Sequence, residues 1–154
     1  MKQAHYVELR VFVKPDEPYK EIKHAMHRLI GVGPDMFEEE RIEYEEETAI
    51  GFNEKKIKIL RAKITKNRRI NDFLDKLKHK LGEKQNRVLR KQDNRIDEDM
   101  CFYVRLEKEA FLDGLYELTD GGDCFHVRIN IATDQNKKET AKKLINQIFS
   151  DNVS

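Results

Sequence analysis

The apolar residues of this 154-residue chain recur with two different periods, and the order of the periods restricts the fold. From His5 to Lys14 apolar residues occupy alternate positions, which indicates a β-strand with one buried face. From about Glu17 they recur at helical spacing until Gly31, which indicates an amphipathic helix. The whole chain predicts the order β-α-β-β-α-(α)-β-β-α. Because strands and helices mix without βαβ repetition, we expect an α+β fold, a two-layer sandwich with a mixed or mostly antiparallel sheet and helices on one face.

The middle of the chain predicts a hairpin followed by helical segments. The acidic segment 37–48 is expected to form an exposed strand, which pairs across a turn at Asn53 with the returning strand 55–64. The apolar phase of the returning strand changes part-way, so a β-bulge is expected near Leu60. A helix capped by Asn71 and ended by Gly82 follows. A short helix and a loop are then expected within residues 83–96.

The last third predicts two more strands and a final helix. The strands cover residues 100–107 and 125–131, with a short helical turn at 108–114 and a tight turn at 120–123 between them. The closing helix covers about residues 141–149. No linker or internal repeat is visible, so residues 1–154 are expected to form a single domain.

The composition argues against several classes of protein. Cys101 and Cys124 lie in apolar runs, which predicts core residues in a reducing cytoplasm and no zinc site. No apolar stretch approaches the roughly 20 residues of a membrane span, so we expect a cytoplasmic protein without membrane contact. No nucleophile lies beside a base in a known motif, so no catalytic residue and no cofactor are predicted. The dense glutamates of segment 37–48 leave a divalent-ion site open, but they lack a calcium-loop pattern, and no metal site is predicted.

Charge is segregated along the chain although the formal net charge is only +1. Residues 55–95 carry sixteen Lys and Arg against four Asp and Glu, whereas residues 35–54 carry nine acids and one base. Because cations that neutralise phosphates release condensed counterions, such a basic block favours a nucleic-acid partner. Pairing of the acidic strand with the basic strand is expected to reduce the free basic surface.

The candidate RNA-binding residues are basic side chains of this block and of two later strands. Arg68 and Arg69 precede the predicted helix start, where the helix dipole favours anions. Few aromatic residues accompany the basic block, so recognition is expected to rely on phosphates and shape, which suits structured RNA. The open alternatives are a solubilising surface and a protein–protein interaction module with opposed acidic and basic faces. The full set comprises Lys63, Lys66, Arg68, Arg69, Lys76, Lys80, Arg87, Arg90 and Lys91, with Arg105 and Arg128 as strand-face candidates.

Three segments of the chain resemble a known family. They are HYVELRVFVKP, KILRAKITKNRRINDFLDKL and IDEDMCFYVRLEKEAFLDGLYELTDGGDCFHVRINIAT. Together with the closing helix they resemble the archaeal RNA-binding proteins formerly described as predicted exosome subunits. The resemblance implies a fold similar to the fifth large-subunit ribosomal protein and RNA binding without catalysis. It also implies the exosome or other RNA-processing proteins as possible partners of a monomer or homodimer.

Overall fold

The computed structural model describes residues 2–133 and 137–150. The strands are β1 (Ala4–Val13), β2 (Ile42–Ile50), β3 (Lys56–Ile64), β4 (Cys101–Glu107) and β5 (Cys124–Ile131). The α-helices are α1 (Tyr19–Ile30), α2 (Asn67–Lys91), α3 (Lys108–Leu112) and α4 (Lys138–Ile148). Short 3-10 helices cover Pro34–Met36 and Phe52–Glu54.

The strands form one antiparallel sheet in the order β2-β3-β1-β5-β4. Alternate residues of each strand point to one face of the sheet, and there they are buried against the apolar sides of the helices. Val7, Leu9 and Val11 of β1 lie at the centre of this core. The opposite face carries mostly polar side chains. The structure therefore confirms the predicted α+β sandwich with helices on one face, and the sheet is wholly antiparallel.

Strand β3 does not contain the predicted bulge. It pairs with β1 from Val7 opposite Ile64 to Val13 opposite Lys58, and with β2 along its length, in both cases without a shift in register. The apolar phase changes because Ile59 lies on the helix-free face, where it is paired with Phe12. The predicted bulge is therefore wrong, because β3 has apolar residues on both of its faces and no extra residue.

Two boundaries of the central region also differ from the predictions. The acidic strand begins only at Ile42, because residues 37–41 form turns and Arg41 has a positive φ of 55°. Helix α2 begins at Asn67 and not near Asn71. The side chain of Asn71 instead accepts a hydrogen bond of 2.9 Å from the Gln3 amide, so it serves a tertiary contact.

Gly82 interrupts helix α2 where the sequence predicts its end. The backbone there has φ 79° and ψ 169°, and the helix resumes with residues 83–91. Asn86 of the second segment donates a 2.9 Å hydrogen bond to the carbonyl of Lys78 in the first, which bridges the break. The predicted short helix in 83–96 therefore exists, although it is joined to the preceding helix.

Replacing Gly82 by alanine should lower the free energy of unfolding by about 1.5 kcal/mol, because this backbone region is almost restricted to glycine. No atom lies within 4 Å of a Cβ built at Gly82, so the cost comes from the backbone alone. Urea unfolding measures it. Gly122→Ala is the matched control, because Gly122 lacks a positive φ and has equal space. Equal stabilities of the two variants would contradict the prediction.

Candidate nucleic-acid interface

The helix-free face of the sheet combines cations, aromatic rings and acids in separate zones. Strand β2 contributes three acids at one side, and strands β5 and β4 contribute one arginine each at the other. The residues of this face are Glu43, Glu45 and Glu47 of β2, Arg61 and Lys63 of β3, Tyr6, Glu8, Arg10 and Phe12 of β1, His126 and Arg128 of β5, and Tyr103 and Arg105 of β4.

Acidic strand β2 offsets the positive charge of β3, as the sequence predicts. Glu43 is paired with Lys63 across the ladder, and Arg61 forms an ion pair with Glu47. The ammonium of Lys63 also lies 4.7 Å from the centre of the Tyr6 ring, a cation–π contact. Among the predicted RNA-binding residues, Lys63 is therefore already engaged within the protein.

At the start of α2, two cations share the carboxylate of Glu40. One oxygen of this carboxylate lies 3.0 Å from the Lys66 amine, and the other lies 3.2 Å from the Arg69 guanidinium. The hydrogen bond from Lys66 holds the pKa of the Glu40 carboxyl below its ordinary value. Arg68, in the same turn, is exposed and forms no ion pair within the described residues. Of the three candidates at this end, Arg68 alone is free.

The outer side of α2 carries the largest set of unneutralised cations. Lys76 and Lys80 lie one turn apart on the first segment, and Lys84, Arg87 and Lys91 lie on the second. All five are exposed, and only Arg87 has an acidic partner in the parts of the chain that the structure describes, namely Glu83 at 3.5 Å. This set is called the α2 basic stripe below.

Arg90 does not belong to the α2 basic stripe. Its guanidinium donates a 2.6 Å hydrogen bond to the carbonyl of Phe149 and lies 3.1 Å from the Glu83 carboxylate. These contacts join the second segment of α2 to the end of α4. The role of Arg90 in this structure is therefore to hold two helices together.

The arginines of β4 and β5 differ in how firmly they are held. Arg128 lies 3.5 Å from Glu8 and 3.8 Å from Asp99, with its guanidinium 6.0 Å from the centre of the Tyr103 ring. Arg105 is exposed, and within the described part of the chain its guanidinium makes only a long contact of 3.4 Å with the carbonyl of Asp120. Burial lowers the pKa of the neighbouring His126 imidazole, so His126 adds no charge near pH 7.

The structure thus separates the predicted residues into three groups. Lys66, Arg68 and Arg69 lie at the start of α2, and Lys63, Arg105 and Arg128 lie on the helix-free face. Lys76, Lys80, Arg87 and Lys91 lie on the outer side of α2, across the helical layer from the sheet. The second group therefore projects from the helix-free face and the third from the helical layer, and the two approach each other at the edge of β4, where Arg105 lies near the second segment of α2.

The sequence-based prediction missed the aromatic residues of the helix-free face. It considered aromatic side chains near the basic block only, whereas Tyr6 and Tyr103 come from strands outside it. Tyr6 shares its face with Arg10, and this could be seen from the alternation in β1. Burial, followed by the hydrogen bond with the Cys101 thiol, raises the pKa of Tyr6 to about 12, so its hydroxyl stays neutral.

Comparison with known proteins identifies the family. A family model described as RNA binding matches residues 6–131, most of the chain. The chain belongs to this RNA-binding family. A curated relative, RNA-binding protein PAB1135 from Pyrococcus abyssi, is 27% identical over 146 residues, which cover 94% of this chain and 93% of the relative. Neither name describes a catalytic activity.

Solved structures of two further archaeal proteins share the fold of this RNA-binding family member. Mth689, a DUF54 protein from Methanothermobacter thermautotrophicus, matches with a TM-score of 0.76 at 23% identity, covering 96% of this chain and 98% of that one. Protein AF2318 from Archaeglobus fulgidus matches with a TM-score of 0.79 at 23% identity, covering 95% and 99%. At this identity the two structures support the fold.

Neither a membrane-crossing helix nor a metal-holding group of side chains occurs in the described residues. In residues 2–133 and 137–150, no helix combines the length and the apolar character needed to cross a membrane. Over the same ranges, no three His, Cys, Asp or Glu side chains are grouped so that they could hold a metal ion. Two glutamates of β2 contact a cation or a hydroxyl instead: Glu47 forms an ion pair with Arg61, and Glu46 accepts a hydrogen bond of 2.9 Å from Tyr44.

Proposed function

We propose that this protein is a non-catalytic RNA-binding protein that recognises structured RNA mainly through phosphate contacts from the α2 basic stripe. The observation that carries the proposal is the difference in ion pairing along the basic block. Lys66 and Arg69 are both ion-paired with Glu40, whereas Lys76, Lys80 and Lys91 are exposed without an acidic partner among the described residues. Free cations release the most counterions when they meet phosphates, and they therefore contribute most to affinity.

The form of the α2 basic stripe favours a structured RNA over a splayed single strand. Its cations are held on a helix, and no Phe, Tyr or Trp lies between them that could stack on successive bases. Double-stranded RNA is recognised mostly by its shape and its phosphates, which suits a stripe of this kind. Arg68, Arg105 and Arg128 are secondary contacts in this proposal.

The finer parts of the proposal rest on the family. The protein would act as a single domain in the cytoplasm, as a monomer or homodimer, in association with the exosome or other RNA-processing proteins. The alternative, a protein-interaction module with opposed charged faces, is less favoured, because β2 and β3 pair their acidic and basic side chains with each other. That pairing leaves less acidic surface for docking a partner.

The charge-reversal variant K76E/K80E should bind a synthetic RNA hairpin at least about tenfold more weakly than the wild type. Each lost phosphate contact lowers the slope of log affinity against log salt by about one, so the double variant should lose about two. Fluorescence anisotropy between about 50 and 200 mM salt measures both quantities.

The matched control is K20E/K55E, which changes the charge equally at two exposed lysines outside the stripe. It should lose affinity less than about threefold through the long-range field alone. Equal losses of hairpin affinity in the two double variants would show that the interface does not lie on α2. Absence of hairpin binding by the wild type, or binding without salt dependence, would contradict the proposed function.

A further inference from the structure

A cleft of about 550 Å³ lies between the second segment of α2, the outer edge of β4 and residues 118–120. Its size falls in the range of small-ligand sites. Val88 of α2 and Tyr103 of β4 line it with 43% and 40% of their surfaces exposed, which is unusual for apolar and aromatic side chains. Two of the large hydrophobic residues that the folded chain leaves exposed thus share one concave site.

One wall of the cleft is held in place by a partly buried amide. The Gln85 side chain donates hydrogen bonds of 2.8 Å and 2.7 Å to the carbonyls of Leu81 and Tyr116. Its oxygen accepts a hydrogen bond of 2.7 Å from the backbone N–H of Leu118. Because three bonds fix this side chain, the wall formed by residues 116–118 is tied to α2 before any ligand binds.

The edge of β4 offers backbone groups inside the cleft. Two positions along this outer edge are hydrogen-bonded. At Cys101 the carbonyl accepts from the N–H of Asp97 at 3.1 Å, and at Arg105 the carbonyl accepts from the N–H of Thr119 at 3.0 Å. Between them, Tyr103 directs its N–H and C=O to the same outer edge, because alternate residues of a strand bond to the same side. Neither group has a hydrogen-bond partner within residues 2–133 and 137–150.

Positive charge surrounds the cleft. Arg95 and Arg105 both line it, and among the described residues their guanidinium groups reach only Asp120: Arg95 lies 3.9 Å from its carboxylate and Arg105 3.4 Å from its carbonyl. One carboxylate offsets one of the two guanidinium groups. On α2, Lys84 and Lys91 lie one turn before and one turn after Val88, on the same side of the helix. The rim therefore carries an excess of cations beside an apolar interior.

We propose that this cleft binds one unpaired nucleotide of an RNA. The base lies against Val88 and Tyr103 and pairs its hydrogen-bonding edge with the free backbone groups of Tyr103, while its phosphate meets Arg95 and Arg105. A β-strand of another protein would fit the backbone groups alone, but the ring of cations favours an anion. The inference rests on the proposed function and deepens it, since it adds a base-contacting site to a surface that otherwise contacts phosphates.

Nucleotide titrations followed by amide NMR of the whole protein test the cleft directly. Adding AMP, GMP, CMP and UMP separately should shift the amide signals of Tyr103 and Arg105, with at least one nucleotide binding about tenfold more tightly than inorganic phosphate, as base stacking requires. The Val88→Trp variant fills the cleft without changing charge and should weaken this binding about tenfold. Ile50→Trp is the matched control at another exposed apolar residue and should bind as the wild type does.

A pair of RNAs separates this inference from the proposed function. A hairpin with one bulged nucleotide should bind about tenfold more tightly than the same stem without the bulge. Val88→Trp should abolish this preference and keep the affinity for the plain stem, whereas K76E/K80E should weaken both RNAs and keep the preference.

The possible contrary results are distinct. Equal binding of both RNAs, or a preference that survives in Val88→Trp, would contradict nucleotide binding in the cleft and leave the proposed function intact. Failure to bind either RNA would contradict the proposed function. The mononucleotide titrations would then be the test of nucleotide binding in the cleft. If a β-strand peptide shifted the two amides and no nucleotide did, the site would be a strand-pairing edge and the inference would be wrong.

Discussion

The Phe111→Ala variant is expected to have a free energy of unfolding about 4 kcal/mol lower than the wild type. Removing a large aromatic side chain from a core costs its transfer free energy and leaves a cavity. Phe111 is 1% exposed. Its ring centre lies 5.0 Å from that of Tyr116 and 4.8 Å from that of Phe125, and the Arg28 guanidinium lies 5.2 Å away on the other side. Urea unfolding followed by circular dichroism measures the loss.

The control for this prediction is Leu115→Ala. Leu115 is close in the chain but 55% exposed, so its truncation should change stability by less than about 0.5 kcal/mol. A loss below about 1 kcal/mol for Phe111→Ala would mean that the surrounding rings collapse into the space, and it would contradict a rigid cluster at this end of the sheet.

The Lys108→Met variant should lose about 3 kcal/mol, although the replacement has a similar shape. The Lys108 amine is almost fully buried and donates to the carbonyl of Phe12 at 2.8 Å, to Glu17 at 3.1 Å and to Asp123 at 2.6 Å. Removing one partner of a buried charge pair leaves the others uncompensated. Both carboxylates keep some access to water, which places the loss at the lower end of the range for buried pairs.

Lys14→Met is the matched control, because Lys14 contacts the same carboxylate, that of Asp123, at 2.8 Å from an exposed position. Its loss should stay below about 1 kcal/mol. A loss of Lys14→Met equal to that of Lys108→Met would show that burial of the amine is not what matters.

The effect of Lys108→Met should depend on pH. Burial raises the pKa of the Asp123 carboxyl, but the hydrogen bonds from Lys108 and Lys14 outweigh burial and hold the pKa below the ordinary 3.8. A depressed pKa stabilises the fold above the ordinary value, and this stabilisation is lost as the pH falls through the folded-state pKa. The stability difference between wild type and Lys108→Met should therefore shrink below about pH 4.

The sequence predicted correctly the strands and helices whose apolar residues follow one regular period. Strand β5 and strand β1 alternate without interruption, so their buried faces could be assigned directly. The start of α2 could not, because Asn71 has the composition of a cap but bonds to Gln3 in a distant part of the chain. The bulge predicted near Leu60 is absent, since Ile59 faces away from the helices beside Phe12 and no local signal indicates a second apolar face.

For the candidate interface, the sequence predicted the positive charge but not which cations are free. Lys66 and Arg69 are ion-paired with Glu40, which lies more than twenty residues earlier, and Arg90 is bound by the backbone of Phe149. Such partners are set by the tertiary structure and leave no spacing in the sequence. The cleft beside β4 could not be predicted for the same reason, because its walls come from segments that meet only in the folded chain.

The break at Gly82 determines how the two proposed contact surfaces are placed relative to each other. Beyond it, the same nine residues, 83–91, carry Lys84, Arg87 and Lys91 on the outside and Val88 on the wall of the cleft. The distance from these phosphate contacts to the nucleotide site is therefore fixed within about two and a half turns of one helix and does not depend on a flexible loop. An RNA that contacts both the α2 basic stripe and the cleft would need its unpaired nucleotide at a fixed distance from its paired stem. The spacing within this helical segment would therefore select among RNAs by the position of the unpaired nucleotide.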